Sequence, residues 1–125
     1  MTKQGLKYIS DKLNSAGIPY AFMVWTKPVS YPYFVGEYTE TEPLYEYGES
    51  ETTFMITGTA NGSWLALENA KDTIRDLFAE DGTGHIFEND MGIAVMYSDS
   101  KPIPTNTDEL KRIQINLQVK EWRVK

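Results

Sequence analysis

Between Leu110 and Lys120 the chain alternates with a period of two: Ile113, Ile115, Leu117 and Val119 interleave with Gln114, Asn116, Gln118 and Lys120. Successive side chains of a strand point to opposite faces of its sheet, so this run specifies a strand with one buried face and one polar face. The remainder of the chain must then supply something to cover the apolar side. After Val119 the phase changes, because Glu121 falls on the apolar side while Trp122 and Val124 fall on the polar one. A bulge or the end of the sheet is expected there.

Two helices are available as covers. Leu6, Ile9, Leu13 and Ala16 recur at spacings of three and four until Gly17 and Pro19 stop the pattern. Leu67, Ala70, Ile74, Leu77 and Phe78 form a second and stronger stripe, with Asn61-Gly62 as the turn before it, Ser63 as the expected N-cap and Gly82 as the expected stop. Tyr20 to Thr26 is too short for a lone helix and rich in aromatic and β-branched residues, which predicts a strand. Tyr33 to Tyr38 predicts another, entered from Pro32 and with Gly36 marking a bulge or a close backbone approach. Thr52 to Thr59 predicts a third, with Phe54, Ile56 and Gly58 on one face and Thr53, Met55, Thr57 and Thr59 on the other. Ile86 to Tyr97 reads as one strand or as a hairpin about Asn89-Asp90, and Ser98 to Thr107, with Pro102 and Pro104, reads as a loop. The expectation is an α+β fold of element order αβββαββ: a largely antiparallel sheet of four to five strands with both helices on one face. No βαβα alternation, internal repeat or low-complexity tract points elsewhere.

Size agrees with one domain spanning residues 1–125, since 125 residues with 41% apolar and 13% aromatic content bury a core without a metal or disulfide staple. Twelve basic against eighteen acidic residues give a net charge of -6, the wrong sign for tight binding along a phosphate backbone. With no cysteine, thiolate metal sites and Cys nucleophiles are excluded. No apolar run approaches the roughly 20 residues that span a bilayer, and the N-terminus lacks the apolar core of a signal peptide, so a soluble, unexported protein is expected.

Catalytic signals are absent from the pattern of residues. The single His85 lies in Gly82-Thr-Gly-His85, expected as a loop, and has no cysteine or marked nucleophile to work with. Gly82 and Gly84 follow a helix instead of opening one, so they form no phosphate loop. The many carboxylates lack calcium-loop spacing, and those between Glu37 and Glu51 read as a solvated connection without the burial that raises a catalytic acid's pKa. No enzyme, cofactor or metal is expected.

Charge is segregated along the chain. Residues 1–27 and residues 101–125 are each +3, while the middle, with Lys71 and Arg75 as its only cations, is -12. Such segregation can set one copy's basic edge against another's acidic loop. Tyr31, Tyr33, Tyr38, Tyr45 and Tyr47 crowd into the same region, and Trp122 projects from the last strand. Tyr and Trp are favoured at interfaces, though some of these rings are expected to pack under the long connection. The candidate interface residues are Glu40, Glu42, Tyr45, Glu46, Tyr47 and Glu49 in the acidic segment, and Lys120, Trp122 and Arg123 in the last strand.

The segments Pro32-Tyr-Phe-Val-Gly-Glu-Tyr-Thr-Glu40, Tyr47-Gly-Glu-Ser-Glu-Thr-Thr-Phe54 and Glu68-Asn-Ala-Lys-Asp-Thr-Ile-Arg75 give the chain a further character. In their order it resembles the tail terminator, or tail-completion, proteins of long-tailed bacteriophages and prophages. The resemblance covers nearly the whole chain in element order. It implies a structural virion protein: a ring of six subunits that caps the tail tube, ends its polymerisation and presents the head-attachment surface. The implied partners are other copies of the chain, the tail-tube protein and a head-completion or connector protein, with no membrane and no sequence-specific nucleic acid. The implied location is the virion tail, reached by assembly in the host cytoplasm. Another small neck protein, a monomeric peptide- or carbohydrate-binding module using the Tyr-rich loop, and a small hydrolase with a carboxylate pair are the competing readings.

Overall fold

The computed structural model describes residues 1–41, 50–79 and 83–123. Helix α1 (Lys3–Ser15) starts at Thr2, whose hydroxyl accepts the Gly5 N–H at 2.9 Å and so satisfies one donor that a helix N-terminus leaves unpaired. Its far end closes as a Schellman motif. Gly17 takes φ +78°, its N–H reaches the Asn14 carbonyl at 3.1 Å, and the Ile18 N–H reaches back to Leu13 at 3.0 Å. Leu13 and Ile18 are both buried, which is the apolar contact that accompanies this stop.

The other elements are β1 (Tyr20–Phe22), β2 (Tyr33–Thr41), β3 (Ser50–Asn61), α2 (Leu65–Leu77), β4 (Thr83–Ile86), β5 (Met91–Ile103) and β6 (Leu110–Arg123). They form one sheet in the order β1-β2-β3-β6-β5-β4. The α+β class is as expected, but the sheet has six strands where four to five were expected, and it is mixed. Residues 23–32 carry the chain back to the end of the sheet where β1 began, so β1 and β2 run parallel while the other pairs are antiparallel. The sixth strand, β4, comes mostly from the stretch up to His85 that was expected as a loop, and it forms a hairpin with β5 about Asn89-Asp90. Asp90 takes φ +64°, its N–H bonds the Phe87 carbonyl at 3.1 Å, and the Phe87 N–H bonds Met91 at 2.8 Å.

Four local expectations are corrected. β1 ends at Phe22 instead of running to Thr26, because Met23 adopts φ +69° and the Val24 N–H folds back onto the Phe22 carbonyl at 2.8 Å. The expected loop at 98–107 is strand as far as Ile103. Past a bulge between Tyr97 and Asp99, Pro102 lies opposite Ile113. Among the described residues β4 pairs only with Gly92 to Val95, so this half of β5 is an edge there, where a missing N–H costs little. β6 shows no break after Val119, and Glu121 stays in register with Ser50 and Ile93. Helix α2 begins at Leu65 after Trp64, which has no side-chain cap bond, while the Ser63 hydroxyl accepts the Leu65 N–H at 3.2 Å. It ends at Leu77, ahead of Gly82, and Gly82 lies outside the described residues.

One core holds the layers together. Phe34, Phe54, Ile56, Ile93, Val95, Ile113, Ile115, Leu117 and Val119 line one sheet face and meet Ile9 and Leu13 of α1, Leu67, Ala70 and Ile74 of α2, and Phe78 just past its end. Both helices therefore pack on the same face. Gly58 lies directly under the Phe34 ring, and a Cβ at Gly36 would sit 2.8 Å from the Phe54 ring, so the close approach expected at Gly36 is present. The opposite face carries Thr53, Met55, Thr57, Gln114, Asn116 and Gln118, all half-exposed. Gln118 Nε2 donates to Thr53 Oγ1 at 3.2 Å and Asn116 Nδ2 to Asp99 at 2.8 Å, a polar ladder across three strands.

Candidate interaction surfaces

Of the nine candidate interface residues, Glu42, Tyr45, Glu46, Tyr47 and Glu49 lie outside the described residues. The structure brings three of the others together. Glu40 at the end of β2 and Trp122 and Arg123 at the end of β6 line a cavity of about 410 Å³ with Met1, Thr2, Met91 and Glu121. Glu40 is already engaged, since the Met1 amino group donates to its carboxylate. Trp122 is half-buried with its indole against Gly92, where a Cβ would collide with the ring. Part of its area thus packs on its own chain. Lys120 lies half-exposed, opposite Ala94 and Glu51 in register, and Arg123 is exposed.

Glu121 is the residue at this end whose role the alternation hid. It is 8% exposed, in core phase, and accepts the Thr2 N–H at 3.2 Å and the Thr2 hydroxyl. Because Thr2 in turn caps Gly5, the carboxylate sits at the positive end of α1, where negative charge is favoured. The signal was present: an acid in an apolar phase has to find a donor.

Exposed apolar side chains concentrate elsewhere. Phe22, Met23, Val24, Val29 and Tyr31 are all exposed, with Met23 at 60% and Val24 at 62%. They run from the last residue of β1, the terminal strand at one end of the sheet order, into the segment after it. Tyr31 and Trp25 pack on Tyr33 with ring centres 5.8 and 5.2 Å apart, and Phe22 stacks on Tyr38 at 6.1 Å. Tyr33 and Tyr38 lie on opposite faces of β2, so these are two groups of rings, the second packed on the main core, and the connection under which some of the tyrosines were expected to pack lies outside the described residues. Met23 anchors the segment after β1 through its N–H to the Gly36 carbonyl at 2.8 Å.

At the other end of the order, β4 carries His85, which is in a strand and not in a loop as expected. It stacks on Tyr8 of α1 at 5.3 Å and meets Phe87 edge-on at 4.9 Å. These three rings, with Ala16 and Leu77, line an open groove of about 680 Å³. Its rim is polar: Lys7 pairs with Asp11 at 2.7 Å, and the Lys12 ammonium sits 5.6 Å from the Tyr8 ring centre. Burial pushes the Tyr8 phenol up from its ordinary pKa. Ile86, 59% exposed, follows His85 on β4 and so faces away from the groove.

Among the described residues no three His, Asp or Glu side chains gather as a metal site, and no helix is long and apolar enough to cross a membrane. The arrangement suits packing against another macromolecule: apolar surface at two unlike places, with charge at the margins. No protein-family model matches the chain, and the search of curated proteins finds no match.

Proposed function

We propose that this chain is a structural subunit of a phage-type tail whose copies form a ring that caps the tail tube, ends its polymerisation and provides the head-attachment surface. The observation that carries the reading is the pair of unlike apolar patches, a projecting segment after β1 and a concave aromatic groove beside β4. A two-fold dimer needs a patch that matches itself, whereas two unlike patches favour head-to-tail contacts, which close into a ring when the rotation allows. The resemblance in element order supplies the tail context, the six-fold ring, and the tail-tube and connector partners. Chemistry is not required of such a subunit, and the reading includes no catalysis or cofactor.

The test is the sedimentation mass of the purified protein, alone and with polymerising tail-tube protein, with tube lengths read by electron microscopy. Shortened tubes bearing an end ring are expected. A monomer that leaves tube length and tube ends unchanged overturns the reading.

A further inference from the structure

We infer that Asn61-Gly62 is a site of slow, irreversible deamidation that the end of the β3–β6 ladder holds shut, so that Asn61 converts only when that end opens. The inference stands independently of the ring reading.

The chemistry comes from the sequence. In an Asn-Gly pair the glycine nitrogen attacks the carbonyl carbon of the asparagine side chain, ammonia leaves and a succinimide ring forms. Water then opens the ring to aspartate or isoaspartate. Glycine lacks the Cβ that would crowd the closure, and asparagine is a thermolabile residue. The chain holds one Asn-Gly pair. Asn61, Gly62 and Ser63 are all exposed, so water and base reach them, and nothing packs around the Gly62 Cα.

The lock comes from the fold. Asn61 is the last residue of β3 and lies opposite Leu110, so its backbone is held extended, and ring closure requires it to rotate away from the strand. Gly62, at φ +86°, donates its N–H to the Glu109 carbonyl at 2.7 Å. The attacking nitrogen has to give up that same proton, so the hydrogen bond must break before the ring can form. The acceptor side is itself fastened. The Thr105 hydroxyl donates toward both the Leu110 and the Thr107 carbonyl at 2.7 Å, and the Thr107 hydroxyl accepts the Leu110 N–H at 3.2 Å. Exposed element ends open at far lower free energy than the core, so the lock leaks without global unfolding.

Conversion works in one direction. Aspartate brings a new carboxylate to a strand end that already carries the exposed Asp108 and Glu109, and like charges facing across a ladder destabilise it. Isoaspartate adds a carbon to the backbone and takes Gly62 out of register with Glu109. Either product holds open the end whose opening produced it.

The test follows the full-length chain at neutral pH, with aspartate and isoaspartate at residue 61 read by peptide mapping and mass spectrometry. Conversion is expected to be about tenfold or more slower in the native protein than in the same protein unfolded in urea. Thr105→Ala is expected to raise the native rate and leave the unfolded rate as it was. Equal native and unfolded rates overturn the lock, and a native rate that Thr105→Ala leaves unchanged overturns its placement at the Gly62–Glu109 bond. Hydrogen exchange at the Gly62 amide reads the same opening without the chemistry: slow exchange in the unmodified protein and faster exchange in Asn61→Asp are expected, and free exchange in the unmodified protein overturns the inference.

Discussion

Glu121 brings a carboxylate into the face of β6 that otherwise holds Ile113, Ile115, Leu117 and Val119. Its partner is Thr2, which is bonded to Glu121 and also caps α1 through Gly5. Gly5 has no room for a side chain there, since a Cβ would sit 2.7 Å from the Glu121 carboxylate and 3.2 Å from Ile93. Glu121→Ala leaves the Thr2 donors unmet and the helix end uncompensated, and is expected to cost about 1–3 kcal/mol in urea unfolding. Tyr20 is a second residue whose environment sets a measurable behaviour. It is 8% exposed, and burial pushes its phenol far above the ordinary value. A group whose folded pKa is raised contributes stability that is whole below the unfolded pKa and is lost as pH rises beyond it. Unfolding free energy is therefore expected to fall above about pH 10, the unfolded tyrosine value, and Tyr20→Phe is expected to flatten that fall in denaturant titrations taken across the range.

At the scale of elements, the strand that follows α1 shows how local chemistry and context divide the work. Tyr20 to Thr26 has strand composition throughout, yet only Tyr20–Phe22 pairs, because the γ-turn at Met23 turns the chain away from β2. Met23→Gly removes the steric strain and adds some unfolded-state entropy, so a net gain of about 1 kcal/mol is expected. The same change deletes an exposed anchor of the projecting segment. Thermal unfolding and sedimentation should then move in opposite directions: a more stable fold with weaker self-association. Both helices were legible from their apolar stripes, and α1 also from its stop, because these signals act within a few residues. Gly17 is the example, where a left-handed residue and two backbone bonds end α1. The second half of β5 was not legible, because Pro102 is a local stop signal whose cost depends on whether another strand lies outside it. β4 pairs only as far as Val95, so among the described residues none does.

For the whole molecule, a six-stranded sheet with both helices on one face leaves the other face, and the two ends of the strand order, to meet other chains. The ring reading expects sedimentation to give a multiple of the 14.3 kDa chain, six-fold if the resemblance holds in full. Charge segregation pointed to self-association from the sequence, but the candidate residues it selected fare unevenly. Glu40 is bonded to the Met1 amino group and Trp122 packs on Gly92, so both serve their own chain first. The residues that stand out in their place, Met23, Val24, Ile86, Tyr8 and Phe87, carried no such signal, because an apolar residue in a strand or helix reads as core until its neighbours are known. What the sequence by itself determined was the α+β class, the two amphipathic helices, the two-faced last strand and the turns at Gly17 and Asn61-Gly62. Each of these depends on contacts between residues near in the chain or on simple periodicity. Only the tertiary structure decided that Glu121 is held by Thr2, that β1 lies parallel at one end of the sheet and that His85 completes an aromatic groove with Tyr8 and Phe87. Those outcomes depend on which distant segment arrives to satisfy a donor, cover a ring or leave it in water, and that is fixed only when the whole chain has packed.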